Sequence, residues 1–284
     1  MRLALTAALA GCMAWLYADL GKGLVVQWVT SPEASYGAIV AAVAMMVLWE
    51  RRRRIFAAPD ASRASWAGAL LIAAGLSAYL AGIFAADLFT TRLSFVIVAG
   101  GLVWFLAGTR AATEAFAPLL FLLIAIPLPE LVVTTLTSSL QTVAARTAET
   151  TLFMAGIPVY RDGNVLELPS STLQIVEACS GLRSVVSLAS VGVLIAWATP
   201  GPMLRRLALI LATLPIAVLA NGLRVAASGA AAEAWGPAML KDPWHSLAGW
   251  LMFLVTLAAL WTIRKTLLRD ARPPQPSFGQ VAAA

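Results

Sequence analysis

The chain has 284 residues, of which 60% are hydrophobic and only 12% are charged, and its mean hydropathy is +0.83. Soluble domains carry about a quarter charged residues, so this composition excludes a water-soluble globule and predicts a membrane protein with several spans. The net charge of +6 comes from short basic clusters beside apolar segments, which is how membrane orientation is encoded. We therefore expect no nucleic-acid partner.

Residues 1–20 predict a first membrane helix that is retained. The sequence Leu9-Ala10-Gly11-Cys12 resembles a lipoprotein cleavage box, but the apolar segment continues through Tyr17 and only one arginine precedes it. The next helix, at residues 35–49, ends just before four consecutive arginines. Because basic loops stay in the cytoplasm, this cluster predicts that the N-terminus is cytoplasmic.

Three further crossings are predicted at residues 65–86, 92–108 and 115–129. Residues 130–156 then have apolar side chains at four-residue spacing with polar ones between them, which is typical of an amphipathic helix at the outer interface. After it, Asp162-Gly163 between β-branched residues predicts a small hairpin outside the membrane. A short strand at residues 173–176 would lead from that hairpin into the sixth crossing.

The last three crossings are predicted at about residues 184–198, 203–227 and 245–265. The fold class is thus an all-α polytopic membrane protein with about eight transmembrane helices, a small extracytoplasmic hairpin and an interfacial helix. We expect one integral membrane domain over residues 1–284, with its core at about 30–268. Residues 269–284 predict a disordered cytoplasmic tail.

The segment Glu177-Ala-Cys-Ser-Gly-Leu-Arg183 stands between the predicted strand and the sixth helix. The helix N-terminus and Arg183 both bring positive potential to the Cys179 thiol, which favours a reactive thiolate. A buried cysteine acting as a small apolar residue, with Arg183 reaching the headgroups, explains the same residues, and both interpretations stay open here. Cys12, in an ordinary apolar helix, is too distant to suggest a disulfide or a metal site.

Two polar positions follow on the seventh and eighth helices. Asn221 and Arg224 are three residues apart and share a helix face, and His245 is the only histidine. The order of the crossings brings Cys179, Arg224 and His245 to the same outer face. An imidazole can deprotonate a thiol and a guanidinium can hold an oxyanion. Singly, Arg224 could pair with a lipid phosphate and His245 could be an interfacial residue; their convergence favours catalysis.

The segments 177–183, Asn221-Gly-Leu-Arg224 and His245-Ser-Leu-Ala-Gly249, in this order on successive helices, resemble the motifs of the exosortase/archaeosortase family of membrane cysteine transpeptidases. Tyr36-Gly37, Pro127-Leu-Pro129 and Asp162-Gly-Asn164 are also similar to features of that family. The resemblance therefore extends from about residue 30 to residue 255. It implies that the matching cysteine, arginine and histidine, at positions 179, 224 and 245, are catalytic.

The resemblance also implies the substrates, which are exported proteins with a C-terminal sorting signal: a motif such as Pro-Glu-Pro, a transmembrane helix and a basic end. Cleavage through a thioester at Cys179 would be followed by transfer to a surface acceptor, a glycan or a lipid. We assign Arg183, Glu177 and Asn221 to substrate binding, and the sequence does not decide whether Asn221 orients His245 or donates to the oxyanion. We expect contact with membrane lipids, and neither a cofactor nor a metal.

The expected location is the plasma (inner) membrane, with several spans, an active site on the extracytoplasmic face and both termini in the cytoplasm. Two other functions remain open from sequence. A transporter or assembly factor for surface polysaccharide would favour polar groups at mid-membrane and broken helices in paired repeats, and neither is evident. A membrane acyltransferase would need its nucleophile or base in a tunnel open to lipid, which the sequence does not exclude.

Overall fold

Long apolar helices make up most of the protein in this computed structural model, which describes residues 2–31, 33–56, 65–175, 182–197, 199 and 202–268. The described residues form nine α-helices, two short 3-10 helices and one three-stranded sheet. The chain divides into two compact units, Met1–Val133 and Thr134–Ala284. The predicted tail at 269–284 lies outside the described residues, and the single domain over 1–284 stays a prediction.

The first unit is helical throughout. Its elements are α1 Arg2–Leu16, α2 Ala18–Thr30, α3 Tyr36–Phe56, α4 Trp66–Phe84, α5 Leu88–Leu122 and a 3-10 helix Leu123–Ala125. The predicted first helix is in fact two, because α1 and α2 meet at a 54° bend. Tyr17 at this bend is hydrogen-bonded through its hydroxyl to Ser94 Oγ at 2.8 Å, and its ring packs edge-on against Tyr79 and Phe95.

Glycines spaced seven residues apart form the contact between α4 and α5. A Cβ added at Gly68 would lie 2.5 Å from the backbone nitrogen of Phe105, and one added at Gly75 would lie 2.6 Å from the side chain of Val98. Both distances are too short for any larger residue, so the glycines allow the two backbones to approach closely, as small residues do between membrane helices. α4 and the first part of α5 are therefore packed as an antiparallel pair.

α5 folds back on itself at Gly108, whose φ of 85° and ψ of −179° are not helical. Leu119 Cδ1 lies 3.6 Å from the position of a Cβ on Gly100, although a straight helix would separate these residues by about 28 Å. The two arms correspond to the separate helices predicted at 92–108 and 115–129. At the start of α5, Asp87 accepts hydrogen bonds from the backbone nitrogens of Phe89 and Thr90, at 3.2 and 3.0 Å, and so caps the helix.

The second unit combines helices with a small sheet. Its elements are α6 Glu130–Met154, which begins just before the boundary between the units, β1 Tyr160–Asp162, β2 Val165–Glu167, β3 Thr172–Gln174, α7 Leu182–Trp197, α8 Met203–Trp235, a 3-10 helix Pro237–Leu240 and α9 Trp244–Leu268. The helix predicted at residues 130–156 is confirmed as α6. Its position at a membrane interface stays a prediction.

The predicted hairpin is present, and its turn lies one residue later than predicted. Asp162 still pairs with Val165 at the end of the strands, so the turn residues are Gly163 and Asn164. Gly163 has a φ of 60°, which suits the first central position of a type II′ turn and is easily adopted by glycine. β3 pairs antiparallel with β2, and of the strand predicted at 173–176 only Val176 lies outside the described residues.

The sheet is fastened to α6 and α8. A shared apolar core consists of Ala144, Ala145, Ala148 and Leu152 from α6, Leu166, Leu168 and Ile175 from the sheet region, and Val225 and Ala226 from α8. At the rim, Arg161 Nε donates to Glu149 Oε2 on α6 at 2.6 Å. Ser170 donates from its backbone nitrogen and its Oγ to Glu233 Oε1 on α8, at 3.0 and 2.7 Å.

Among the described residues, four helices are long and apolar enough to cross a membrane, or five if the bent pair α1 and α2 counts as one span. The four are Trp66–Phe84, Leu88–Ala125, Met203–Trp235 and Trp244–Thr266. The protein is thus a mostly helical membrane protein with several spans, but the predicted eight crossings are not confirmed. α7 has only 16 residues, and the four arginines from Arg51 to Arg54 are part of α3.

Candidate active site

α8 carries a buried arginine on the face that packs against the rest of the second unit. Arg224 is 9% exposed and Asn221, one turn earlier, is 5% exposed. Close approach of α6 helps to bury this part of α8, since a Cβ on Gly222 would lie 2.5 Å from Thr147 Cβ. The predicted shared face of Asn221 and Arg224 is therefore a buried one.

α9 runs antiparallel to α8 and brings His245 to the same region. The first turn of α9 is held by a hydrogen bond from His245 N to Lys241 O at 3.1 Å and by one from Ser246 Oγ to Asp242 Oδ1 at 2.6 Å. One turn further along α9, a Cβ on Gly249 would lie 3.5 Å from Arg224 Nη1. The guanidinium of Arg224 therefore lies against α9, close enough to act electrostatically on His245.

Arg224 and His245 line one cavity together with β3 and the residue after it. We call this the strand cavity; it is lined by Leu173, Gln174, Ile175, Arg224, Val225, Ser228 and His245. Its strand side is fixed in place, because Ile175 N donates to Asn164 O and Asn164 Nδ2 donates to Ile175 O, both at 3.0 Å. The cavity thus combines a buried guanidinium, an imidazole and the end of an ordered strand.

A second cavity lies between α7, α8 and α9, and we call it the helix cavity. It is lined by Ser184, Leu188, Ala217, Ala220, Asn221, Arg224, Gly249, Met252, Phe253 and Thr256. Arg224 belongs to both cavities. Asn221 lines only the helix cavity, so the structure groups it with Arg224 rather than with His245.

The predicted site residues have different outcomes. Arg224 and His245 are brought together in the strand cavity, and Asn221 adjoins Arg224. Arg183, in the first turn of α7, is exposed and lines neither cavity. Cys179 and Glu177 lie outside the described residues, so their predicted roles are addressed below as proposals.

Several lining residues were not predicted from the sequence. Ser228 follows Arg224 by four residues and continues the polar face of α8, a spacing that could have identified it. Thr256 is 2% exposed and its hydroxyl donates to Met252 O at 2.7 Å. A single threonine within an apolar helix has no pattern that would have identified it from the sequence. In the part of the chain that the structure describes, no group of three or more His, Cys, Asp or Glu residues could hold a metal ion.

The chemistry available to this site follows from its two basic groups. A guanidinium held against a helix offers fixed N–H donors to a developing oxyanion, and in a site shielded from water such donors have a large effect. An imidazole in the same cavity can accept and return a proton near neutral pH. This pair suits acyl transfer once a nucleophile is present.

The fold defines a mostly helical membrane protein, in which a buried arginine and a histidine line one cavity beside a short strand. The family model for transmembrane exosortases matches residues 28–262, and the chain belongs to that family. The resemblance noted in the sequence is thereby confirmed. No curated protein and no solved structure matches the chain. Family membership indicates a membrane transpeptidase or protease of the cysteine type in general, acting on proteins with sorting signals.

Proposed function

We propose that the protein cleaves the C-terminal sorting signal of exported proteins through a thioester at Cys179 and then transfers them to a surface acceptor. The observation that carries this proposal is the strand cavity, in which Arg224 and His245 adjoin the strand that leads to Cys179. Arg224 is buried and His245 is the only histidine in the sequence. Apolar packing alone does not explain why these two polar residues line the same cavity.

The covalent chain supports the placement of Cys179 at this site. Ile175 lines the strand cavity four residues before Cys179, and Ser184 lines the helix cavity five residues after it. An extended chain spans at most about 3.5 Å per residue, so the Cys179 Cα is within about 14 Å of the Ile175 Cα and about 18 Å of the Ser184 Cα. Ile175 shares the strand cavity with Arg224, and Ser184 shares the helix cavity with it.

In the first half-reaction, His245 accepts the proton of the Cys179 thiol and the thiolate attacks the scissile carbonyl carbon. Arg224 donates hydrogen bonds to the oxyanion that forms. The carbon–nitrogen bond then breaks, the departing amine takes the proton from the imidazolium of His245, and a thioester remains on Cys179.

In the second half-reaction, an acceptor nucleophile or water attacks the thioester. His245 takes the proton of the attacking group, the carbon–sulfur bond breaks, and the Cys179 sulfur recovers the proton. The acceptor is a glycan or lipid at the surface in the transfer reaction. Neither half-reaction needs a cofactor.

The remaining predicted residues have supporting roles in this proposal. Asn221 adjoins Arg224 in the helix cavity, which favours contact with the oxyanion or its arginine over the orientation of His245. Arg183 and Glu177 flank Cys179 in sequence and are assigned to substrate binding. Arg183 is exposed on the first turn of α7, where a substrate could reach it.

We further propose that the site faces the exterior of the plasma (inner) membrane and that both termini are cytoplasmic. The arginines at the end of α3 and the basic residues at the end of α9 support this orientation. Topology reporters fused after residues 60, 165 and 270 should read inside, outside and inside. A reporter after 270 that reads outside would place the two ends of the chain on opposite sides and overturn the orientation.

The function is tested with a reporter protein that ends in a Pro-Glu-Pro motif, a transmembrane helix and a basic end. Co-expression with the wild-type chain should shorten the reporter at its C-terminus. The Cys12→Ala variant is the matched control and should retain this activity. Cys179→Ala should abolish it, and size-exclusion chromatography should show that the variant is still folded. Cleavage by Cys179→Ala at the wild-type rate would contradict the proposal.

A further inference from the structure

β3 is an edge strand of the sheet, and the chain continues from it toward the proposed nucleophile. We propose that the sorting signal of the substrate binds in extended form along the free edge of β3, as a fourth strand of this sheet. This inference rests on the proposed function and adds to it the surface that binds the substrate. Main-chain hydrogen bonds supply the contacts, as they do where other proteins bind a peptide at a sheet edge.

The hydrogen bonds of β3 determine which of its backbone groups face the free edge. Ser171 exchanges two backbone hydrogen bonds with the residue after β2, at 2.9 and 3.4 Å, and Ile175 N donates to the residue before β2 at 3.0 Å. Hydrogen-bonded and non-hydrogen-bonded pairs alternate between antiparallel strands, so Leu173 also faces β2 with its N–H and C=O groups. The same groups of Thr172 and Gln174 therefore point away from β2, to the free edge.

This free edge is accessible and is held in a fixed position. Thr172 and Gln174 are exposed, whereas Leu173 between them packs against the apolar core that joins the sheet to α6 and α8. Within the described part of the chain, no residue is hydrogen-bonded to the outward-facing backbone groups of Thr172 and Gln174. Just before β3, Ser170 is hydrogen-bonded to Glu233 of α8. A strand edge that is unpaired and held in this way is a template for another strand.

The opposite edge of the sheet, on β1, is less suited to bind a peptide. The same alternation, continued across β2, leaves only Arg161 of β1 with its backbone groups facing outward. The side chain of Arg161 donates to Glu149 of α6 and to Gly163 O, at 2.6 and 3.1 Å. β1 thus offers one residue next to a helix, whereas β3 offers two residues at an exposed edge. We therefore assign the substrate to β3.

β3 places a bound strand beside the proposed reacting groups. Gln174, at the end of β3, lines the strand cavity with Arg224 and His245, and Cys179 follows it by five residues. A peptide that pairs with β3 lies along the outer edge of the strand, so it needs no room inside the cavity. The prolines of the reporter's motif are compatible with this pairing, because only every second residue of an added strand needs its N–H group for the neighbouring strand.

The placement is tested by disulfide crosslinking between β3 and the reporter in isolated membranes under mild oxidation. The protein carries Thr172→Cys or Gln174→Cys, together with Cys12→Ala and Cys179→Ser, so that no other thiol is present and the reporter stays intact. Each reporter has one cysteine, which is moved one residue at a time through the motif and its neighbours. Tyr160→Cys is the matched control, because Tyr160 is an exposed residue of β1.

We expect crosslinks about tenfold stronger than those of the control, and we expect them at every second reporter position because side chains of a strand alternate between two faces. Strong crosslinks three or four residues apart, uniform crosslinking along the reporter, or crosslinks no stronger than the control would overturn the inference. Reporter cleavage by the wild type would in those cases leave the proposed function intact. Absence of wild-type cleavage would instead remove the proposed function, and the inference with it.

The main-chain contacts are tested by proline substitution. Gln174→Pro removes the outward-facing N–H group and no hydrogen bond to β2. Gln174→Ala is the matched control, because it changes the side chain and keeps the N–H group. The loss of one main-chain hydrogen bond to the substrate should make reporter cleavage per folded molecule about fivefold slower in the proline variant than in the alanine variant. Thr172→Pro and Thr172→Ala should differ in the same way. Equal cleavage by the proline and alanine variants at both positions would contradict main-chain pairing.

Discussion

The two compact units each contain a buried arginine within a helix, and the surroundings of these two residues differ. In the first unit, Arg92 on α5 is 8% exposed and its Nη1 donates to Gln27 Oε1 on α2 at 2.8 Å. In the second unit, Arg224 on α8 is 9% exposed and lines both the strand cavity and the helix cavity. Arg92 lines neither of these cavities.

Burial alone therefore does not distinguish the arginine of the candidate site from Arg92. An ionisable residue in a membrane span marks a functional site by default, and that rule would select Arg92 and Arg224 equally. Arg92 joins α2 to α5 through a neutral amide, which is a structural contact. Arg224 lines a cavity together with an imidazole, and for that reason we propose Arg224, and not Arg92, as the group that binds a substrate oxygen.

The largest difference is expected when each arginine is replaced by lysine. Arg224→Lys keeps the charge but loses the planar donor geometry, and the loss of an oxyanion donor slows turnover by about 10²- to 10³-fold. Reporter cleavage should therefore collapse while the unfolding midpoint in detergent stays close to that of the wild type. His245→Ala should have the same pattern. An Arg224→Lys protein with near wild-type cleavage would return Arg224 to a structural role.

Arg92→Lys should have the opposite pattern. Lysine cannot reproduce the hydrogen bond from Arg92 to Gln27, and a hydrogen bond to a charged group contributes about 1.5 to 3 kcal/mol to stability. The unfolding midpoint should fall by several degrees, with the cleavage rate per folded molecule unchanged. Gln27→Ala should reproduce the loss of stability. A specific loss of cleavage at unchanged stability would show that the first unit also contributes to the reaction.

A smaller effect is expected from the contact that ties the loop between β2 and β3 to α8. Glu233→Ala removes both acceptor contacts with Ser170, so the strand side of the cavity is held less firmly. If about 1 kcal/mol of the stabilisation from these two hydrogen bonds is lost in the transition state, the cleavage rate should fall about fivefold. Glu167→Ala, an exposed glutamate of the same hairpin, is the control. Equal rates for the two variants would mean that this contact does not position the strand.

The smallest predicted effect is a pH-dependent change in stability that comes from Asp87 in the first unit. Hydrogen bonds from Thr90, with a further one from Phe89 N, lower the pKa of Asp87 below its usual value. The carboxylate therefore contributes stability above the pKa of the unfolded chain, about 4, and this is lost as the pH falls through the folded pKa. Asp87→Asn should lower the unfolding midpoint at pH 7 and have less effect near pH 3. A difference that grows in acid would contradict this cap.

Apolar periodicity in the sequence predicted most of the helices. The features of the fold that it did not predict have physical reasons. The break near Gly108 was predicted because polar residues interrupt the apolar segment between the two arms. The bend at Tyr17 was not, since it depends on contacts with Ser94, Tyr79 and Phe95, all more than sixty residues away. Local sequence carries no information about such long-range packing.

The candidate site likewise has parts that could be predicted from the sequence and parts that could not. The proximity of Arg224 and His245 was predictable because polar residues are rare in apolar helices and the order of the helices brings these two together. The helix cavity was not predictable, because Ala217, Ala220 and Gly249 are ordinary in a membrane helix and acquire meaning only when three helices are packed. The exposed position of Arg183 likewise depends on the rotation of α7, which its sequence left open.

The central claim is that Cys179 carries the substrate as a thioester, and intact-protein mass spectrometry tests it most directly. The wild-type chain, quenched in acid during reporter cleavage, should gain the mass of the N-terminal reporter fragment less one water. Peptide mapping should locate this mass on Cys179, and hydroxylamine should remove it. The Cys12→Ala protein should form the same adduct. An adduct on another residue, or steady cleavage by the wild type with no adduct under conditions that trap a control thioester, would contradict the account.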